Sequence, residues 1–191
     1  MSDWLDRLTT KLEPLLMEDD PRRSISAYHD MPYAIFCYPP EAEFDLRKEL
    51  ALLGTRLEQK GKRVTVISLA ERLHAALILE SAIPDLVESE KVIGLTQAID
   101  TVHEILGRYR RLDDLVVERM PANPNPLRDI VLIVRAGALF PLYRTSTLLE
   151  QLKGRVVVPS VLFFPGELDG AAGLRFMGVL DAEHNYRPRI F

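Results

Sequence analysis

The most concentrated charged feature of the chain is a basic cluster that contains an aromatic residue, Arg108-Tyr109-Arg110-Arg111. Guanidinium groups neutralise phosphates, so Arg108, Arg110 and Arg111 are candidates for a nucleic-acid contact, provided that basic residues from elsewhere join them. The competing interpretation is a solvated helix end, where cations interact favourably with the helix dipole. Direct contact with DNA stays open on these residues.

The second unusual feature is the C-terminal segment 180–191, which we call the tail. Chain ends are commonly polar and mobile, whereas this one mixes aromatic residues, arginines and a terminal apolar pair. Tyrosine and arginine are frequent anchors of protein interfaces. We expect the tail to dock, either on its own domain or on a partner. The partner-binding candidates are Tyr186, Arg187, Arg189 and Phe191.

Nucleotide hydrolysis is not favoured by the residues that follow the predicted strands. A phosphate-binding loop needs glycines, a lysine and a hydroxyl, but the first strand is followed by Pro39-Pro40-Glu41-Ala42-Glu43. The prolines lack N–H donors and the glutamates would repel phosphate. The strongest strand is followed by Arg135-Ala136-Gly137 instead of an acid that could hold magnesium. A degenerate, non-catalytic nucleotide-binding domain remains an alternative.

Histidine and cysteine chemistry gives no stronger candidate. The four histidines lie far apart in sequence, without the spacing of metal ligands: His29, His74, His103 and His184. Cys37 lies inside a predicted core strand, where a thiol is ordinarily inert. We therefore predict no catalytic residue, no metal site and no cofactor, and we expect a protein that is not an enzyme.

Alternating strands and helices must position these residues. Apolar runs predict strands at 33–38, 64–69, 130–134, 161–164 and 174–177. Helical spacing predicts helices at 1–17, 46–57, 70–80, 89–111 and from Pro141 to Leu152. The proline-rich segment 120–127 is typical of a surface loop. This alternation predicts an α/β fold with a mostly parallel central sheet flanked by helices, resembling a degenerate P-loop or Rossmann-like three-layer domain.

Composition limits the class of protein. The chain has 191 residues, 47% hydrophobic and 27% charged, with a net charge of −4, and we expect a single domain over 1–191. This charge argues against a uniformly basic, nucleic-acid-coating protein. No apolar run approaches the ~18 residues of a membrane span, so no membrane association is predicted. The single cysteine and the absence of a signal-peptide pattern favour a cytoplasmic protein.

Several stretches, spread along the chain, together carry a family resemblance. They are Tyr33-Ala34-Ile35-Phe36, Tyr38-Pro39-Pro40-Glu41, Pro141 with Arg144-Thr145, Phe164-Pro165-Gly166, Leu174-Arg175-Phe176-Met177-Gly178, His184-Asn185-Tyr186-Arg187 and the terminal Ile190-Phe191. With these stretches, the sequence resembles the BrxB family, the small component of BREX bacteriophage-defence systems. The resemblance covers essentially the whole chain in length and order.

This resemblance implies a place in a multiprotein defence assembly. The usual neighbours of the family are PglZ, which is alkaline-phosphatase-like, a large ATPase and a DNA methyltransferase. No enzymatic activity is assigned to the family, so the resemblance supplies no catalytic residues. It implies a non-catalytic adaptor or scaffold that acts through protein–protein interaction, most naturally with PglZ.

Overall fold

A parallel sheet forms the centre of the molecule, in a computed structural model that describes residues 2–26, 32–80, 82–170, 173–184, 186 and 188–191. The strands are β1 (Tyr33–Tyr38), β2 (Arg63–Ser68), β3 (Asp129–Val134), β4 (Ser160–Asp169), β5 (Gly173–Phe176) and β6 (Arg189–Ile190). Their order is β2-β3-β4-β1-β6, all parallel, and β5 pairs antiparallel with the end of β4. The prediction of a mostly parallel sheet is confirmed.

Helices cover both faces of the sheet. They are α1 (Asp3–Arg7), α2 (Glu13–Leu16), α3 (Arg22–Ile25), α4 (Glu43–Gln59), α5 (Leu69–Leu79), α6 (Ala82–Ile93), α7 (Leu95–Glu104), α8 (Leu112–Val117) and α9 (Thr145–Leu152). A π-helical turn, Leu8–Leu12, joins α1 to α2, and a second, Ile105–Tyr109, continues α7. None of these helices, in the ranges that the structure describes, is both long and apolar enough to cross a membrane.

Alternation along the strands divides the core into two layers. In β1, Ile35 and Cys37 pack with α5 to α9, whereas Ala34 and Phe36 pack with α1 to α4. Four leucines recur along α4 every three or four residues and are buried: Leu46, Leu50, Leu53 and Leu57. This helix therefore lies where the sequence predicted it. The result is the helix–sheet–helix arrangement expected for a parallel sheet.

Because β1, β2, β3, β4 and β6 are parallel, their carboxyl ends lie on the same side of the sheet, which we call the carboxyl edge. Because helix α4 packs on the Phe36 face, the β1–β2 connection crosses that face. The β2–β3 and β3–β4 connections cross the Ile35 face through α5 to α9. Where neighbouring strands send their connections to opposite faces, a crevice opens beyond their carboxyl ends. Arg135 follows β3 at this edge, and a 3₁₀ turn, Ala136–Leu139, comes next.

Two predicted helices differ from the structure. The single helix over 89–111 is wrong, because Gly94 adopts a φ of 96° and separates α6 from α7. Val92 and Leu95 lie beside this break and are exposed. The helix starting at Pro141 instead begins at Thr145, because the backbone N–H of Tyr143 closes a separate turn onto the carbonyl oxygen of Leu139, at 2.7 Å.

The N-terminal segment is helical and the proline-rich segment is a connection between two elements. Residues 3–16 are helical throughout, with Trp4, Leu8, Leu12 and Leu16 buried against the sheet. The segment 120–127 connects α8 to β3, and its residues 122–124 are exposed.

Candidate functional site

The tail ends as a strand of the protein's own sheet. β6 pairs in parallel with β1, with Ala34 opposite Arg189 and Ile35 opposite Ile190. The N–H of Phe191 donates to the carbonyl of Ile35 at 2.9 Å, and the N–H of Cys37 donates to the carbonyl of Phe191 at 3.0 Å. The Phe191 side chain is 7% exposed and belongs to the core layer of Phe36. The end of the chain is therefore fixed by backbone pairing and by apolar burial.

Tyr186 attaches the tail to the opposite face of the sheet. Its ring lies edge-on to Phe164, with centroids 6.0 Å apart. Its hydroxyl lies 3.2 Å from Thr145 Oγ1 and donates to Glu183 Oε2, also at 3.2 Å. Burial raises the pKa of Tyr186 well above its ordinary value, so the hydroxyl is a neutral donor at physiological pH.

An ion pair between Arg144 and Glu183 lies next to Tyr186. Glu183 accepts a hydrogen bond from Arg144, and the pair Arg144-Thr145 thus lies directly against the tail. Burial alone would raise the pKa of Glu183, but hydrogen bonds from Ser146 and Arg144 outweigh burial and hold that pKa below its ordinary value. A hydrogen-bonded cluster therefore holds Tyr186 in place.

Arg189 is the outward-facing side chain among the predicted tail residues that the structure describes. Its guanidinium lies over the Phe191 ring at 4.6 Å, and Nη1 donates to the carbonyl of Ser24 at 2.7 Å. Arg187 lies outside the described residues. Tyr186 and Phe191 serve the protein's own core, which leaves Arg189 accessible, and the partner-binding role of the tail stays a prediction.

The basic cluster is matched by acidic neighbours. Arg108 pairs with Glu104 at 3.3 Å, and Arg110 pairs with Glu80 at 2.8 Å. Arg111 holds the buried Asp113 through two hydrogen bonds, of 3.1 and 2.9 Å. A phosphate would have to compete with these carboxylates for the same guanidinium groups. The nucleic-acid role of Arg108, Arg110 and Arg111 stays a prediction.

The histidines lie in separate parts of the fold. His74 is on α5, His103 lies beside Tyr143 with ring centroids 5.5 Å apart, and His184 is 3.7 Å from Asp169. His29 falls outside the described residues. Within the described ranges, no three histidine, cysteine, aspartate or glutamate side chains come together as metal ligands would.

Cys37 is buried in β1, as the sequence predicted. Its Sγ lies 3.4 Å from the carbonyl oxygen of Gly166, and the side chain is 3% exposed. Burial raises the pKa of the Cys37 thiol to about 11. The reactive thiolate is therefore scarce at neutral pH.

A set of exposed apolar side chains, which the sequence did not identify, lies on the helices that follow β2. We call it the helical apolar set: Ile78, Leu79, Ile83, Val87, Val92 and Leu95. These side chains are between 39% and 76% exposed. Ile83 and Val87 are one helical turn apart and so lie on the same side of α6. A group of apolar side chains exposed to solvent commonly marks an interaction surface.

Comparison with known proteins gives one family. The family model described as "BREX protein BrxB" matches residues 65–190. A curated protein of Bacillus cereus (strain H3081.97), also described as "BREX protein BrxB", is 27% identical over 161 residues, which cover 83% of this chain and 82% of the relative. No solved structure matches the chain, so its likeness to a P-loop or Rossmann-like domain stays a prediction.

Proposed function

Because this chain belongs to the BrxB family of BREX proteins, we propose that it is a non-catalytic scaffold of an anti-phage defence assembly. It acts by binding other components of the system, first of all PglZ, and the ATPase and the methyltransferase are the further candidate partners. The similarity of this chain to a BREX protein along four-fifths of both sequences supports membership of that assembly.

The helical apolar set carries the proposal. Ile78, Leu79, Ile83 and Val87 occupy the end of α5 and two successive turns of α6. Burying apolar area against a partner is the main favourable term in protein association, and interface cores are depleted in charged residues. These four side chains would supply such a core, with Asp85 and Glu88 on neighbouring positions of α6 as a polar rim.

The tail is the second part of the proposed interface, and it would contribute charged residues. Tyr186 and Phe191 anchor the end of the tail, and Arg189 remains exposed on the outer strand of the sheet. We place Arg189 in contact with a partner, together with Arg187. The proposal places the assembly in the cytoplasm. The chain has one cysteine and so forms no intrachain disulfide, which fits the reducing conditions of that compartment.

Co-purification from cells that express the whole BREX system tests the proposal. Tagged wild-type protein should retain PglZ through washing. Val87→Asp, which places a charge among the exposed apolar residues, should reduce the recovered PglZ about tenfold, the loss typical of one central interface residue.

A matched variant separates docking from general damage. Leu52 is similarly exposed, lies on α4 on the other face of the sheet and is outside the helical apolar set. Leu52→Asp should leave PglZ recovery unchanged. If wild-type protein retains neither PglZ nor any other BREX component, the scaffold function is wrong. If Val87→Asp and Leu52→Asp behave alike, the docking surface is wrong.

A further inference from the structure

Arg135 has an unusual backbone conformation at the carboxyl edge. It follows β3 with φ 61° and ψ 37°, the left-handed region that costs free energy for a residue with a Cβ. Met177 also has a positive φ, of 56°. Both residues line the same cavity, of about 290 Å³. Strained backbone persists where surrounding structure enforces it, and it is concentrated at ligand sites.

The guanidinium of Arg135 lacks the partners that comparable arginines have. Its Nε is fully buried and has no hydrogen-bond partner in the part of the chain that the structure describes. Its Nη1 reaches Ser68 Oγ only at 3.5 Å. Arg56, in contrast, is held by the carboxylates of Glu13 and Glu49. A buried donor without an acceptor is destabilising, so the guanidinium of Arg135 is held with part of its hydrogen-bonding capacity unused.

The acidic residue that lines this cavity already has hydrogen-bond partners. Glu43 lines it, but its carboxylate accepts hydrogen bonds from Arg47, at 2.7 Å, and from the Tyr38 hydroxyl. On the other side of Arg135 lies a second cavity, of about 720 Å³, where Glu71 is 3.6 Å from Arg72. Arg135 therefore contributes a positive charge that these two glutamates do not neutralise.

We propose that Arg135 binds the phosphoryl group of a small phosphorylated molecule in the 290 Å³ cavity. A guanidinium offers two parallel N–H donors, which match the oxygens of phosphate. A left-handed residue followed by the turn Ala136–Leu139 is the backbone geometry in which successive N–H groups converge on an anion. The volume is at the lower end of small-molecule sites, which begin near ~300 Å³.

This ligand site adds to the scaffold function and does not depend on it. The cavity lies beyond the carboxyl ends of β1 and β3 and beside Pro165 of β4, at the end of the sheet where open parallel sheets receive ligands. The helical apolar set contributes Ile78 and Leu79 to the second cavity alone. Loss of the phosphate site and loss of PglZ binding are therefore separable by experiment.

Thermal unfolding of the full chain with inorganic phosphate, pyrophosphate and AMP tests the site. At ten times its dissociation constant, a bound probe should raise the midpoint of wild-type protein by about 3–6 °C. Arg135→Gly should abolish that shift. Because glycine adopts a positive φ without strain, this variant should unfold at the wild-type midpoint or above it in the absence of probe.

The controls decide the origin of any shift. Arg119→Ala removes an exposed positive charge after α8 and should keep the full shift. Sodium chloride at matched ionic strength should give none. Should Arg135→Gly fail to fold, Arg135→Asn serves in its place, since asparagine also tolerates the left-handed region.

Three results would overturn the proposal. The first is that no probe shifts wild-type protein in the millimolar range. The second is that Arg135→Gly, or Arg135→Asn in its place, responds like wild type. The third is that a glutamate-rich peptide gives the Arg135-dependent shift while the phosphate probes do not, which would identify a partner's carboxylate as the ligand.

Discussion

Replacing Phe191 by alanine tests directly whether the end of the chain belongs to the core. The ring is 7% exposed and packs in the layer of Phe36 and Leu53. A buried phenylalanine covers about 150–250 Å², which at about 25 cal/mol per Å² corresponds to roughly 4–6 kcal/mol. Measured Phe→Ala costs in cores are about 3–5 kcal/mol. We expect a loss of about 3 kcal/mol here, at the lower end of that range.

Urea denaturation followed by circular dichroism measures this loss. Phe191→Ala should lower the transition midpoint with little change in the slope, since nearly the same surface is exposed on unfolding. A loss of about 3 kcal/mol is a large part of the 5–15 kcal/mol that stabilises a typical domain. Deletion of 186–191 should cost more, because it also removes the two backbone hydrogen bonds of Phe191 and the Tyr186 cluster.

Arg189→Ala is the matched control for the ring. It removes the exposed guanidinium that lies over the Phe191 ring. This cation–π contact contributes about 0.5–1 kcal/mol to the free energy of unfolding. If Phe191→Ala changes the free energy of unfolding by less than about 0.5 kcal/mol, as surface substitutions do, the tail is not docked as described. Equal losses for Phe191→Ala and Arg189→Ala would likewise contradict burial of the ring.

Three further predictions follow from the site. Cys37 has its pKa raised from 9.0 to about 11, so above pH 9 the unfolded chain loses this proton first and unfolding is favoured. The free energy of unfolding should therefore fall by about 2 kcal/mol between pH 9 and 11 on account of this thiol. Cys37→Ala should show a shallower fall, and parallel pH profiles would contradict the burial. Tyr186→Phe should cost about 1 kcal/mol in urea unfolding, since it removes the hydroxyl shared with Thr145 and Glu183; no change would mean that this hydroxyl bonds equally well to water. If Arg108, Arg110 and Arg111 contact DNA, a salt-dependent gel shift should weaken when all three become alanine, and unchanged affinity would remove the cluster from consideration.

The local sequence was sufficient to predict those elements whose structure depends on residues close together along the chain. β1 is an apolar run between prolines, and the leucines of α4 recur at helical spacing, so both lie where the sequence predicted. The break at Gly94 was missed because the apolar spacing continues across it. β6 has only two residues, and its existence depends on pairing with β1, about 150 positions earlier.

The candidate sites were less accessible to sequence reasoning. Val87 and Val102 are the same residue type on neighbouring helices, yet one is exposed and the other buried, and tertiary packing decides between them. Arg135 was visible as a basic residue after a strand. Its positive φ and its unpartnered Nε are features of the folded chain that residue type and spacing do not encode.

Calorimetric titration of purified PglZ with this protein measures the proposed scaffold interaction most directly. The helical apolar set predicts saturable binding by wild-type protein, about tenfold weaker binding by Val87→Asp, and unchanged binding by Leu52→Asp. Absence of binding by folded wild-type protein at concentrations well above those in the cell would contradict the scaffold function.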